Sequence, residues 1–170
     1  EKYNYIEEAI GLYQIAEAAQ PNVRTAFERG QLHAQLGQYE AQYEAYLLAA
    51  RQNTGYLSII KMRIANNLSK DPNGVHNSAV KKVLYAAVKK ALGPLVEQLL
   101  LFVLRQEGSF DRAFIFMRSK YDGNASIQPF LQVLREAREA NADDVAVEIG
   151  NFLLTQKTTL SQQRATNSVL

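Results

Sequence analysis

Apolar residues recur along most of the chain at the three- and four-residue spacing that is typical of amphipathic helices. A clear case is the stripe of Leu57, Ile60, Ile64 and Leu68, which falls on one face of a helix. No stretch alternates apolar and polar residues for long enough to predict a strand. We therefore predict an all-α fold. The predicted helices span residues 3–19, 23–36, 39–52, 56–69, 75–92, 94–107, 110–121, 126–140 and 143–156.

Residues that favour turns separate these segments. Glycine ends a helix readily because it adopts positive φ without strain, and we expect this at Gly37 and Gly108. Proline ends or opens a helix, as expected at Pro21 and Pro94. The two carboxylates at 143–144 favour a helix N-terminus. The remaining predicted breaks are 53–55, 71–74 and 122–124.

Part of this pattern repeats along the chain. Gly37 and Gly108 are each followed two residues later by an aromatic residue, Tyr39 and Phe110. The two glycines are about 71 residues apart, and the Tyr-x-x-Ala segments 13–16 and 46–49 are about 33 apart, close to two periods and one period of roughly 34 residues. That period is typical of helix–turn–helix repeats.

The repeated positions resemble those of the tetratricopeptide repeat (TPR) family. In that family the first helix of a pair ends at a Gly-x-Tyr turn, and the second helix carries an Ala, an aromatic residue and a further Ala before a Pro. Gly37, Tyr39, Tyr46 and Ala49 follow this pattern, whereas Gln42 replaces the first Ala. The resemblance implies an α-solenoid of stacked antiparallel helix pairs in a right-handed superhelix. Other α-solenoids stay open as alternatives, because about half of the chain agrees with the family in length and period alone.

The residues of the motif have a packing role, so they predict a fold rather than a reaction. Small residues at Ala16, Gly30 and Ala49 allow two helix backbones to approach closely. Tyr46 and Phe110 are expected to fill the space beside them. Because a single helix pair cannot bury its apolar face, we expect the repeats to stack.

The composition is that of a globular domain without a membrane span. The chain has 170 residues, of which 47% are hydrophobic and 21% charged, close to ordinary globular values. The longest apolar run, at 99–104, is far shorter than the roughly 20 residues of a membrane helix. We predict a TPR-like repeat domain over 1–157 and a polar tail or linker over 158–170.

The chain has no cysteine, which excludes disulfides and thiolate metal sites. A chain without cysteine suits both the cytoplasm and a bacterial periplasm. The sequence begins at Glu1, directly within a predicted helix. We therefore expect a fragment or mature form of a longer protein.

No catalytic signature is found in the sequence. It has no Gly-rich phosphate loop, no paired-histidine metal motif and no nucleophile elbow. The two histidines, His33 and His76, are expected at a packing position and beside a turn. We therefore predict a protein that is not an enzyme and that holds no cofactor or metal.

The TPR resemblance also implies a binding surface. In that family the first helix of each pair lines a concave groove that binds a peptide or protein segment. The corresponding side chains here are amides, bases and two phenylalanines, which suit the carboxylates, backbone carbonyls and apolar side chains of a partner. The implied groove residues are Arg24, Phe27, Gln31, Gln35, Lys61, Gln98, Phe102, Arg105, Gln128, Arg135 and Arg138. We predict a protein- or peptide-binding scaffold whose partner is acidic.

A basic stretch over residues 61–90 gives an alternative function. The whole chain has a net charge of +2, but its bases are concentrated in this stretch. Lys81, Lys82, Lys89 and Lys90 lie on one predicted helix with no acid among them. Such a patch could bind nucleic acid or another polyanion, although a solvated helix face is the commoner meaning of such a pattern. We favour the scaffold and do not expect nucleic acid as the partner.

Overall fold

The computed structural model describes the backbone of residues 2–20, 22–70, 74–123 and 125–167, and the side chains of these residues except 2–4 and 157–167. The described residues are mostly helical and include no strand, which confirms the all-α prediction. The predicted breaks at Pro21, 71–73 and 124, and the end of the predicted tail at 168–170, lie outside the described residues. The helices are α1 (Lys2–Ala19), α2 (Ala26–Gln35), α3 (Tyr39–Gln52), α4 (Leu57–Lys70), α5 (Val75–Lys89), α6 (Pro94–Gln106), α7 (Phe110–Lys120), α8 (Gln128–Glu139) and α9 (Asp143–Asn167).

The start of α2 differs from the predicted start near residue 23. The carboxylate of Glu17 in α1 accepts a hydrogen bond from the backbone N–H of Thr25 at 2.8 Å. The same carboxylate forms an ion pair with Arg29 at 2.9 Å. These contacts hold the residues before Ala26 in a connection between α1 and α2, so the helix begins later than its sequence suggests.

The ends of α5 and α9 also differ from prediction. Ala91 has a φ of 51°, a left-handed conformation that stops α5 at Lys89, whereas the sequence predicted a helix to residue 92. In contrast, α9 continues to Asn167, well past its predicted end near residue 156. Much of the segment predicted as a polar tail is therefore helical.

Helix contacts divide the chain into two compact units, Glu1–Val103 and Leu104–Leu170, with the division inside α6. In the first unit α3 contacts α2, α4 and α5, and in the second unit α8 contacts α7 and α9. Helices thus pack against helices that are close in sequence. The single repeat domain over 1–157 stays a prediction.

A close approach between α2 and α3 forms the core of the first unit. A Cβ atom built on Gly30 would lie 2.5 Å from the Cδ1 and Cε1 atoms of Tyr46. Tyr46 is buried, and its ring stacks on that of Phe27 at a centroid distance of 5.4 Å. The predicted packing of a small residue against an aromatic ring is confirmed here. Buried residues of α4 and α5 complete this core: Ile60, Ile64, Leu68, Val80, Val83 and Leu84.

Aromatic rings form the core of the second unit. Phe130 of α8 lies 6.2 Å from Phe114 of α7 and 4.9 Å from Phe152 of α9, measured between ring centroids. Tyr121 completes the cluster at 5.5 Å from Phe130 and 5.6 Å from Phe152. Most of these pairs are edge-to-face, an arrangement that the ring quadrupole favours. This cluster fixes which face of α8 is turned inward.

Four turns between helices share one backbone conformation; the one at Ala91, where the N–H of Leu92 donates to the carbonyl of Ala87 at 3.2 Å, differs from the other three in its spacing to the next helix. Gly37, Gly108 and Asn141 have φ values of 71°, 75° and 57°, and each precedes the first residue of the next helix by two positions. In each of these three turns the following N–H donates to the carbonyl five residues earlier, at 2.9, 2.9 and 2.8 Å. This is the Schellman arrangement. The local equivalence of the two glycine turns is thereby confirmed, and Asn141 adds a third copy about 33 residues further on, again roughly one repeat period.

Candidate protein-binding surface

The implied groove residues near α2 have different roles in the structure. Arg24 precedes α2, and its Nη1 donates to the backbone carbonyl of Gln52 at 2.7 Å, at the end of α3. Phe27 was expected to be exposed in a groove, but this is wrong: it is 7% exposed. Its ring is held between Tyr46 and Tyr56, so it is a core residue. Two amides remain on the surface of α2, the half-buried Gln31 and the exposed Gln35.

Two implied groove residues of α4 and α6 contact each other. The ammonium group of Lys61 lies 5.5 Å from the centre of the Phe102 ring, a cation–π contact. Both side chains are half-buried, whereas Gln98 of α6 is exposed. A cation–π pair that is partly solvated contributes about 0.5–1 kcal/mol. Phe102 is therefore partly covered by a neighbour, and only part of its ring is exposed.

Arg105 is already paired. Its Nε donates to Oε2 of Glu136 at 2.7 Å, and its Nη2 donates to Oε1 of the same carboxylate. Both side chains are half-buried, and the two-pronged geometry is the one that suits guanidinium and carboxylate. Arg105 thus joins the end of α6 to α8, and its charge is neutralised within the chain.

The two other arginines lie on the exposed side of α8. Leu131, Leu134, Arg135 and Arg138 follow the i, i+3, i+4, i+7 spacing of one helical stripe. This α8 stripe lines an open concavity of about 560 Å³, together with Gln128 and Glu139. Both arginines are exposed, and among the described side chains no acid lies within ion-pair distance of either.

An apolar groove continues from this stripe to α9. Its volume is about 390 Å³. Leu131 and Leu134 form its α8 wall, and Leu153 and Leu154 form its α9 wall. We refer to this cleft, together with its basic rim of Arg135 and Arg138, as the α8–α9 groove. The two arginines were predicted from the sequence, whereas Leu131 and Leu134, which precede them in α8, were not, although their helical spacing was visible.

The four lysines of the basic patch predicted on α5 differ in their surroundings. Lys82 forms an ion pair with Glu40 of α3 at 2.7 Å. Lys89 is the last residue of α5 and Lys90 follows it directly, where positive charge is stabilised by the helix dipole. Lys81 is half-buried and has a contact of its own. Lys82 thus has an ion-pair partner within the chain, and polyanion binding by this patch stays a prediction.

The two histidines make structural contacts. Nδ1 of His33 lies 2.7 Å from Oε1 of Gln38. His76 packs on Tyr39 with ring centroids 4.0 Å apart, and its Nδ1 lies 3.0 Å from the hydroxyl of Tyr43. Burial raises the pKa of Tyr43 above 10.0, and a hydrogen bond from Asn67 opposes part of that rise. This cluster ties α3, α4 and α5 together.

Within the residues that the structure describes, no group of three or more His, Asp or Glu side chains could hold a metal ion. Over the same part of the chain, no helix combines the length and the apolar character needed to cross a membrane. The chain matches no family model, no curated protein and no solved structure. The TPR resemblance therefore depends on the repeated residues and turns described above.

Proposed function

We propose that this chain is a non-catalytic protein-binding module, in which helix pairs stack as a TPR-like solenoid. The three equivalent turns at Gly37, Gly108 and Asn141 support this architecture, because a repeated turn is what a repeated helix pair requires. The close approach of Gly30 to Tyr46 supports it as well, since it lies at the motif positions that resemble TPR repeats.

The binding surface in this proposal is the α8–α9 groove, and the partner is a segment that carries carboxylates and apolar side chains. One observation carries the proposal: Arg135 and Arg138 are exposed without an ion-pair partner among the described residues, on the same stripe as Leu131 and Leu134. Unpaired guanidinium groups beside an apolar cleft suit an acidic amphipathic segment.

Binding to the α8–α9 groove is expected to need several contacts acting together. A charge-assisted hydrogen bond contributes about 1.5–3 kcal/mol when partly desolvated, and an exposed ion pair contributes less than about 1 kcal/mol. Burial of apolar surface contributes about 25 cal/mol per Å². The leucines of the groove are therefore expected to supply most of the affinity, and the two arginines to select acidic partners.

A selection from a random peptide display library tests this proposal. We expect selected peptides to combine Asp or Glu with apolar residues, and the double substitution Arg135→Ala with Arg138→Ala to weaken their binding by at least about tenfold, the loss of roughly 1.4 kcal/mol. Lys89→Ala with Lys90→Ala is the matched control, since it also removes two exposed bases. The proposal fails if the lysine pair, rather than the arginine pair, abolishes binding.

The polyanion alternative predicts a different result in the same set of variants. A single-stranded oligonucleotide should then bind with a steep dependence on salt concentration, because each phosphate contact releases counterions. The lysine substitutions should reduce that slope. We expect weak oligonucleotide binding that is insensitive to these lysines, because Lys82 is paired and Lys89 and Lys90 are at a helix end.

A further inference from the structure

The outer face of α1 carries an apolar stripe. Tyr5, Leu12 and Ile15 are 71%, 67% and 65% exposed, whereas Ile6 and Ile10 on the opposite side of the helix are buried. Together with Glu8 they are spaced by three, four and three residues, the spacing of positions that face a partner helix in a coiled coil. We refer to Tyr5, Glu8, Leu12 and Ile15 as the α1 stripe. An exposed apolar stripe of this regularity is typical of an interaction surface.

The α8–α9 groove is the second exposed apolar surface with a regular arrangement. Leu154 on its α9 wall is 65% exposed. Leu131 and Leu134 on its α8 wall are half-buried. The groove thus offers a cleft between two helices, which is the shape that receives a third helix.

The two surfaces complement each other in charge. Glu8 lies within the α1 stripe and Glu7 beside it, and both are exposed. The rim of the groove carries Arg135 and Arg138, and Glu139 borders the same concavity, so its net charge is positive. The acidic helix surface and the basic cleft are therefore complementary in charge, which would favour docking and fix its register.

The two surfaces also match in length. From Tyr5 to Ile15 the α1 stripe extends about 15 Å, and on the α8 side the residues that line the groove and its basic rim, from Ile127 to Arg138, extend about 16 Å, at 1.5 Å per helical residue. One helix of this length fills the groove along its whole wall.

We propose that the α1 stripe of one copy of this chain docks in the α8–α9 groove of a second copy, with Glu8 beside Arg135 and Arg138. This inference rests on the proposed function, because it names the partner of the same groove. The two surfaces differ, so the contact is heterologous, and each copy keeps one free surface after pairing. Such a contact continues head to tail until a ring closes or a chain forms.

Two substitutions of exposed leucines test the proposal by light scattering coupled to size-exclusion chromatography. Leu12→Asp blocks the α1 stripe and leaves the groove intact, and Leu154→Asp does the reverse. We expect the unmodified chain to increase in mass with concentration, and each variant alone to be monomeric. An equimolar mixture of the two variants has one intact stripe and one intact groove, so it should reach twice the monomer mass and no more. Ile115→Asp, at an exposed apolar position of α7, is the control and should associate like the unmodified chain.

Each contrary outcome has a distinct meaning. A chain that stays monomeric at all concentrations refutes the self-docking, as does a mixture of variants that stays monomeric while the unmodified chain associates. Association that survives both substitutions places the contact elsewhere and also refutes it. If the chain is monomeric and yet library peptides bind in a way that depends on Arg135 and Arg138, the self-docking is refuted and the protein-binding function stands. If neither occurs, both fail.

Discussion

Substituting Gly30 by alanine is a direct test of the close approach between α2 and α3. The new Cβ would lie 2.5 Å from two ring atoms of Tyr46 and 3.2 Å from the backbone carbonyl oxygen of Gln42. Tyr46 is 1% exposed and stacks on Phe27, so its ring has little room to move. Overpacking of this kind costs about 1–3 kcal/mol.

The higher helix propensity of alanine opposes the clash, so the sign of the change in unfolding free energy shows which effect is larger. Alanine is more favourable than glycine in a helix by about 0.8–1.0 kcal/mol. We therefore expect Gly30→Ala to lower the free energy of unfolding by up to about 2 kcal/mol. In a Tyr46→Ala background the clash with the ring is absent and only the 3.2 Å approach to the Gln42 carbonyl oxygen is left, so the same substitution should raise stability by up to about 1 kcal/mol. Gly11→Ala is the matched control, because a Cβ at Gly11 meets no atom within 4 Å.

These differences in the free energy of unfolding can be measured by urea denaturation, monitored by far-ultraviolet circular dichroism. The unmodified chain, the two single variants and the double variant at Gly30 and Tyr46 form a double-mutant cycle and are compared at the same temperature. The cycle isolates the interaction between the two positions. If Gly30→Ala stabilises the unmodified chain as much as Gly11→Ala does, the approach of α2 to α3 is not tight, and the packing role assigned to the motif is wrong.

Three further outcomes follow from contacts described above. Arg105→Ala should destabilise the chain by roughly 1 kcal/mol, because it leaves Glu136 half-buried without its partner. Arg135→Ala, at an exposed arginine, should leave the melting temperature unchanged. Equal effects of the two substitutions on the melting temperature would contradict the different roles given to the two arginines. Ala91→Gly should raise stability by about 1 kcal/mol in urea denaturation, because Ala91 has a φ of 51°, which strains any residue with a Cβ. Burial raises the pKa of Tyr43 in the folded chain. The contribution of Tyr43 to the free energy of unfolding is therefore fully present below its pKa in the unfolded chain, 10.0, and is lost as the pH rises through its pKa in the folded chain. Tyr43→Phe should therefore reduce the loss of stability above pH 10, and an unchanged alkaline midpoint would show that Tyr43 does not contribute to it.

The sequence predicted features that depend on neighbouring residues better than features that depend on distant ones. The start of α3 at Tyr39 and the turn at Gly37 follow from local spacing and from the freedom of glycine at positive φ, and both agree with the structure. Phe27 is different: its burial depends on Tyr56, which belongs to a short 3-10 segment outside the repeat. No helical periodicity around Phe27 could indicate that contact.

The candidate surface shows the same limit of local patterns. Arg105 and Arg135 are similar in sequence context, yet Arg105 is neutralised by Glu136, 31 residues away, and Arg135 is not. The predicted helix bounds, 126–140 and 143–156, left a break at Asn141, but its positive φ was not predicted because asparagine adopts positive φ less often than glycine; its position about one period of roughly 34 residues after Gly108 indicated it. The repeat period was thus a more informative signal for the turn at Asn141 than its residue type. The different roles of Arg105 and Arg135 could be recognised only from a three-dimensional contact.

The aromatic cluster around Phe130 provides an optical reporter. The chain has no tryptophan, and Tyr121 is the sole tyrosine of residues 104–170. Its ring lies edge-on to Phe130 and Phe152, so its near-ultraviolet dichroic band depends on the packing of the second unit. The difference between the spectra of the unmodified chain and a Tyr121→Phe variant therefore isolates the melting of that unit from the signals of the tyrosines in residues 1–103. Coincidence of this signal with the total helical signal would show that the two units unfold cooperatively, and two separate transitions would show that the division inside α6 is also a division in cooperativity.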